Sequence, residues 1–208
     1  MLRYWTVWLS PNAERVELAL AHKGLEAERI EVPYEERTEV EAVSGQSRVP
    51  VLDHDGRVIT DSEAILRYLE QEFPDPGLWP RGEREHAEAE IFVEWFNQVW
   101  KRPFNEIYWQ LTAEGGPDEQ ALESWGQRMI DYLDVFEALL TDRDYLLGDS
   151  FGIADVLAYP FLKFPAIWVE NDPYLHHEIL RDRQPLAGKP RLEAWIRRVH
   201  DRRGVATV

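Results

Sequence analysis

Between Phe73 and Pro80 the chain reads Phe-Pro-Asp-Pro-Gly-Leu-Trp-Pro. Three prolines in eight residues remove three backbone donors and fix three φ angles, so neither a helix nor a sheet ladder runs through. The pattern changes in kind across this break. Before it, short β-branched and aromatic runs alternate with amphipathic stretches; after it, only helical periodicity remains. The break therefore predicts an open α/β domain over residues 1–75 and an all-helical domain over 84–208.

The first part predicts the order β-α-β-α-β-β-α. Residues 2–7 are aromatic and β-branched, as in a buried strand. A helix over 12–23 carries Val16, Ala19 and Leu20 on one face and stops at Lys23-Gly24. Residues 28–32 alternate like a half-buried strand, and 35–44 read as a weak helix. Val49–Leu52 and Arg57–Thr60 flank Asp53-His54-Asp55-Gly56, a hairpin signal. Thr60-Asp61-Ser62-Glu63 has capping-box spacing ahead of a helix striped by Ala64, Ile65, Tyr68 and Leu69. Beyond the break, helices are predicted over 84–111 with a kink at Pro103, over 118–141, from about Gly152, and over 190–201. No repeat is evident.

Composition narrows the function. With 44% apolar residues in 208, the chain can bury a proper core. A formal charge of −16 argues against nucleic-acid or anionic-membrane partners. No apolar run approaches the roughly 20 residues of a membrane span, and no export signal is visible, so a cytoplasmic location is expected. Zero cysteines exclude disulfides, thiolate zinc sites and a cysteine nucleophile. His176-His177-Glu178 suggests a metal only superficially, because adjacent helical side chains diverge and no third ligand is evident. It is expected to be solvated surface, as is the charged run Glu83–Glu90.

Ser10-Pro11-Asn12-Ala13, between the first strand and first helix, is the best candidate for chemistry. Proline starts a helix cheaply, and the serine hydroxyl sits where free N–H groups and the positive helix end converge. That is a place for a thiolate or another anion. Its structural alternative is a plain N-cap. Arg48-Val49-Pro50 enters the third strand, and a cis bond at Pro50 exposes the Val49 backbone to a ligand. Asp61-Ser62 opens a helix, where a carboxylate and a hydroxyl suit an amino-acid-like ligand or merely cap the helix.

Together these segments resemble the cytosolic glutathione transferases. The family pattern is strand–Ser/Cys-Pro–helix, then N-P-x-G-K-V-P-V-L, then E-S-x-A-I-x-x-Y-L. Here the counterparts are Ser10-Pro11, Ser44 to Leu52, and Asp61 to Leu69. Gly148-Asp149-Ser150-Phe151-Gly152-Ile153-Ala154-Asp155 is similar to the second-domain signature. The resemblance implies a thioredoxin-like domain followed by a helical bundle, a homodimer, and glutathione as co-substrate. Carried over, Ser10 holds the glutathione thiolate, with Asn12 a second donor to sulfur. Val49, ahead of cis Pro50, pairs with the peptide; Asp61 and Ser62 bind the γ-glutamyl end; Arg48 meets the glycine carboxylate. Arg15 and Arg37 are the other cations available to an anionic ligand. Trp8, Tyr108 and Trp109 are candidates for the electrophile pocket, beside Phe104, Phe164 and Trp168; no metal is expected.

The sequence departs from the pattern in three places: Asp61 replaces glutamate, Ser44-Gly45 replaces Asn-Pro, and Gly152 replaces the second-domain cap. Asn12 resembles a bacterial Thr-Pro-Asn subgroup that reduces disulfides. Three readings follow: conjugation of glutathione to an electrophile, glutathione-dependent disulfide reduction, or a binding protein without turnover.

Overall fold

The computed structural model describes residues 1–205, with side chains through 202. The last three residues of the expected helical domain, 206–208, lie outside the described residues. Two compact units divide the chain, Met1–Trp79 and Pro80–Arg202.

The first unit is a four-stranded sheet in the order β2-β1-β3-β4. Strand β1 (Leu2–Thr6) runs parallel to β2 (Ala27–Glu31) through helix α1 (Pro11–Lys23), and antiparallel to β3 (Val51–His54). Strand β4 (Arg57–Thr60) closes a hairpin on β3. Its turn puts Asp55 at φ 51° and Gly56 at φ 90°, the doubly left-handed geometry of a tight hairpin, and Asp53 accepts the Gly56 N–H at 2.7 Å. Helix α2 (Thr38–Ser44) lies between β2 and β3 in the chain, and α3 (Ser62–Glu72) packs on α1. Trp5, Val7, Val32, Val40 and Val51 form one buried cluster. The Trp5 indole N–H donates to Glu39 at 2.8 Å, tying α2 to it.

At the far end of α1, Gly24 takes φ 64° and the Leu25 N–H reaches back to Leu20, so glycine ends the helix as predicted. The buried Lys23 ammonium donates to Glu70 at 2.7 Å and to the Phe73 and Pro76 carbonyls. Glu70 in turn accepts the N–H groups of Leu78 and Trp79. The proline-rich break is thus an ordered strap.

The second unit is helical: α4 (Glu83–Trp95), a π-helical turn (Phe96–Trp100), α5 (Lys101–Thr112), α6 (Glu119–Leu139), α7 (Ile153–Leu162), α8 (Leu175–Asp182) and α9 (Pro190–Val205). Helix α7 is buried along its whole length and, Asp155 apart, carries no charged side chain, which marks it as the central element. Phe161 of α7 meets Phe96 and Trp100 edge-to-face, and Phe136 meets Phe92 and Trp100 in the same way, while Phe96 stacks on Trp100. Asp155, in the first turn of α7, is fully buried and accepts three N–H groups: Leu146 at 3.1 Å, Gly152 at 2.9 Å and the Trp195 indole at 2.7 Å. Burial pushes its carboxyl up to about 6 despite those donors. It ties α7, the preceding loop and α9 into one knot.

Four expectations needed correction. The single helix over 84–111 is broken by the π turn at 96–100, upstream of Pro103 rather than at it. Pro103 cannot donate to the carbonyl of Val99 and its ring crowds that group, so the chain widens just before it. The cap of α3 is Asp61, not Thr60: Asp61 takes φ 72° and its own carboxylate accepts the Glu63 and Ala64 N–H groups. Glu63 instead pairs with Arg67 one turn on, at 2.9 Å. Helix α8 was not foreseen. It turns His177 inward, where the ring is wholly buried, bonded to Asp172 at 2.7 Å and stacked on Phe164. His177 is therefore core, not solvated surface.

Candidate active site

The sheet register brings three of the sequence segments to one end. Trp5 pairs with Val51 and Val51 with Thr60, so the chain leaving β1, the chain entering β3 and the chain leaving β4 emerge side by side. These carry Val7 to Ser10, Arg48 to Pro50, and Asp61 to Ser62 respectively.

Ser10 is half-buried and forms the N-cap of α1, its Oγ accepting the Ala13 N–H at 3.3 Å. Pro11 follows at the first helical position, and Glu14 N–H bonds the Ser10 carbonyl at 2.9 Å. The hydroxyl acts there only as acceptor, which leaves its own proton to donate. Asn12 is half-buried in the first turn.

The Val49–Pro50 bond is cis; Pro50 is buried and Val49 partly buried. Gln46 braces the preceding loop: its side-chain carbonyl accepts the Arg48 N–H at 2.6 Å and its amide donates to the Arg48 carbonyl at 2.8 Å. The Arg48 side chain itself is exposed. Arg37 lies over the Tyr34 ring at 5.0 Å.

At α3, the Oδ1 oxygen of the exposed Asp61 carboxylate accepts both capping N–H groups. Ser62 is buried, and its Oγ accepts a hydrogen bond at 3.3 Å from the wholly buried Arg15. Burial lowers the Arg15 guanidinium to about 9, while the charges of Asp61 and Glu63 hold it up. It stays protonated at neutral pH. A positive charge thus stands behind the α3 N-terminus and adds to the helix end for any carboxylate bound there. The signal for this placement is in α1: Arg15 shares the inward face with Leu18, Ala19 and His22 at spacings of three, four and seven.

The remaining candidates stand apart in kind. Trp8 is 37% exposed and sits before α1. Tyr108 and Trp109 lie in the helical unit on consecutive positions of α5, hence on different faces; Tyr108 is half-buried and Trp109 60% exposed. Among the described residues no group of three His, Asp or Glu side chains is arranged to hold a metal ion.

Comparison with known proteins decides the family. The family model for the glutathione S-transferase N-terminal domain matches residues 6–77, and that for the C-terminal domain matches 110–202. A probable glutathione S-transferase of rice is 30% identical over 203 residues, spanning 92% of this chain and 81% of the rice protein. The chain belongs to the glutathione S-transferase family. A probable glutathione S-transferase of tobacco is 29% identical over 153 residues, and this chain spans 65% of its length. Among solved structures, a glutathione S-transferase of Rhodospirillum rubrum superposes with TM-score 0.73 at 27% identity, over 96% of this chain and 87% of that one. A rice transferase crystallised in complex with glutathione matches with TM-score 0.75 at 26% identity, over 99% and 89%. The small mixed sheet followed by a helical unit is the transferase fold.

Proposed function

We propose that the chain binds glutathione at the end of its sheet and uses the sulfur as a nucleophile toward a small electrophile. One observation carries the reading: the Ser10 hydroxyl caps α1 as an acceptor and keeps its proton for a sulfur at the mouth of the helix. Asn12 is the second donor to that sulfur. Val49 pairs its backbone with the tripeptide beside Pro50, and Arg48 takes the glycine carboxylate. The second oxygen of the exposed Asp61 carboxylate meets the γ-glutamyl ammonium, while Ser62, the α3 N-terminus and the charge of Arg15 meet the γ-glutamyl carboxylate. Trp8, exposed just before α1, contributes to the electrophile site.

The energetics are modest and sufficient. A free thiol ionises near 8.5; lowering that by about two stabilises the thiolate by about 2.7 kcal/mol. One charge-assisted hydrogen bond together with a helix N-terminus is of that size. The thiolate fraction at pH 7 then rises from about 3% to about three quarters, and holding it against the electrophile supplies the rest of the acceleration. In this reading the protein works in the cytoplasm as a homodimer. The apolar residues that α4 and its π turn leave exposed, Ile91 and Val99, are candidates for the dimer face, which sedimentation would test.

The experiment is a calorimetric titration with glutathione followed by parallel assays on an aryl halide and a small disulfide. Binding with conjugation supports the proposal. Turnover of the disulfide alone assigns the reductase reading instead. Absence of glutathione binding contradicts both and leaves a binding protein with this fold.

A further inference from the structure

A cluster of arginines in the helical unit lies outside the roles above. On this strongly acidic chain, arginines such as Arg3, Arg29, Arg67 and Arg191 sit against carboxylates. Around Trp125 the arrangement differs. Arg102 of α5 and Arg128 of α6 both approach its ring, at 5.5 and 5.7 Å from the centroid. Arg183, just past α8, lies across Gly126, where even a methyl group would stand 3.1 Å from the guanidinium nitrogen. A methyl group at 126 would push that guanidinium back by a few tenths of an ångström.

Asp182 and Asp131 are engaged by other groups, and Glu106 pairs loosely with Arg102 itself. Asp182 is held by both Arg181 nitrogens, at 2.6 and 3.0 Å, and reaches Arg183 only through space. Asp131 accepts from Gln127 at 2.8 Å. Glu106 sits 3.6 Å from Arg102, a loose pair on an exposed helix face. Among the described residues neither Arg128 nor Arg183 has an ion-pair partner.

We propose that Arg102, Arg128 and Arg183, gathered around Trp125 and Gly126, bind a compact phosphate-bearing anion. Two physical arguments select that class. Carboxylates crowd this surface and have not taken Arg128 or Arg183, so a ligand of higher charge density with paired oxygens is favoured; guanidinium forks match phosphate. A net charge of −16 repels extended polyanions and anionic membranes, whereas a small ion inside the roughly 8 Å screening length feels mainly the local cations.

The test is calorimetric titration of the full chain, with glutathione present in excess, using inorganic pyrophosphate as probe. The expected result is binding that weakens with added salt and falls at least about tenfold in the Arg128→Gln, Arg183→Gln double variant, the loss of one charge-assisted contact or more. The Arg128→Lys, Arg183→Lys variant should retain part of the affinity, because charge persists while the fork is lost. Cosedimentation with phosphatidylglycerol vesicles is the lipid arm, and no binding is expected there. Equal pyrophosphate affinity in wild type and double variant, no measurable binding in wild type, or arginine-dependent binding to vesicles alone would each overturn the proposal. Because glutathione occupies its own site throughout, failure here leaves the Ser10 reading untouched.

Discussion

Two kinds of polar helix start occur in this chain, and Asp155 and Ser10 are the clearest examples; Asp118 at the start of α6 is, like Asp61, an exposed cap that uses one carboxylate oxygen. In the helical unit, Asp155 opens α7 wholly buried, with both carboxylate oxygens engaged by three N–H donors. In the sheet unit, Ser10 and Asp61 also cap helices, yet each keeps capacity the fold does not use: a hydroxyl proton on Ser10 and a carboxylate oxygen on Asp61. A fully engaged cap is a structural fastener. In the proposed reading, a partly engaged cap at the end of the sheet, with a buried cation behind its neighbour, is where a ligand finishes the bonding.

That contrast can be broken at either end, and the largest effect belongs to the fastener. Asp155→Ala should cost about 3–5 kcal/mol in denaturant unfolding, since it leaves buried N–H groups of Leu146, Gly152 and Trp195 without acceptors. The same site makes a pH prediction. The folded carboxyl titrates at about 6, above its unfolded value, so the folded protein takes up the proton first. Its contribution to stability is full below about 4 and is lost as pH rises through about 6, on the order of 3 kcal/mol in all. The stability gap between wild type and Asp155→Ala should therefore widen on acidification across that window; a gap independent of pH would show that Asp155 does not titrate there.

Ser10→Ala comes next and should cost about 1 kcal/mol of stability, the usual loss for an N-cap hydroxyl. Conjugation should fall about 25-fold at pH 7, the ratio of thiolate fractions, and the deficit should shrink to less than about twofold near pH 9. A deficit of the same size at both pH values would remove Ser10 from thiol ionisation.

Arg15→Met sharpens the comparison from the buried side. Glutathione affinity should drop about tenfold while kcat changes little, because the charge acts on a carboxylate remote from the sulfur. Stability should hold, since the desolvation cost of burying a guanidinium disappears with it. Severe destabilisation with normal glutathione affinity would make Arg15 a fastener like Asp155.

The smallest effect is expected for Asp61→Asn. Asparagine caps as well as aspartate, so stability should move by less than about 0.5 kcal/mol. Loss of the charge facing the γ-glutamyl ammonium should weaken glutathione about threefold by titration. No change in affinity would assign Asp61 to capping alone.

Local chemistry was readable along the chain, and long-range packing was not. Ser10-Pro11, Gly24 and the Asp55-Gly56 turn announce themselves because each needs a particular backbone geometry that few residues supply. The family pattern in three segments then carried the fold. The sequence offered both Thr60 and Asp61 as the cap of α3, because two adjacent residues can cap and a positive φ at aspartate is not written in composition. The π turn before Pro103, the inward face of α8 and the burial of His177 depend on what the helices meet, which spacing alone does not specify. Arg15 is readable as a cation available to an anionic ligand, but its burial against Ser62 depends on packing that spacing does not specify.

The central claim is that the unused proton of Ser10 keeps a bound sulfur ionised, and the ionisation of bound glutathione tests it without reference to any electrophile. Thiolate ultraviolet absorbance, followed against pH in the binary complex, should place the bound thiol about two below the free value of about 8.5, and Ser10→Ala should return it most of the way. A bound thiol that titrates like free glutathione in the wild type, or that stays depressed in Ser10→Ala, would contradict the account.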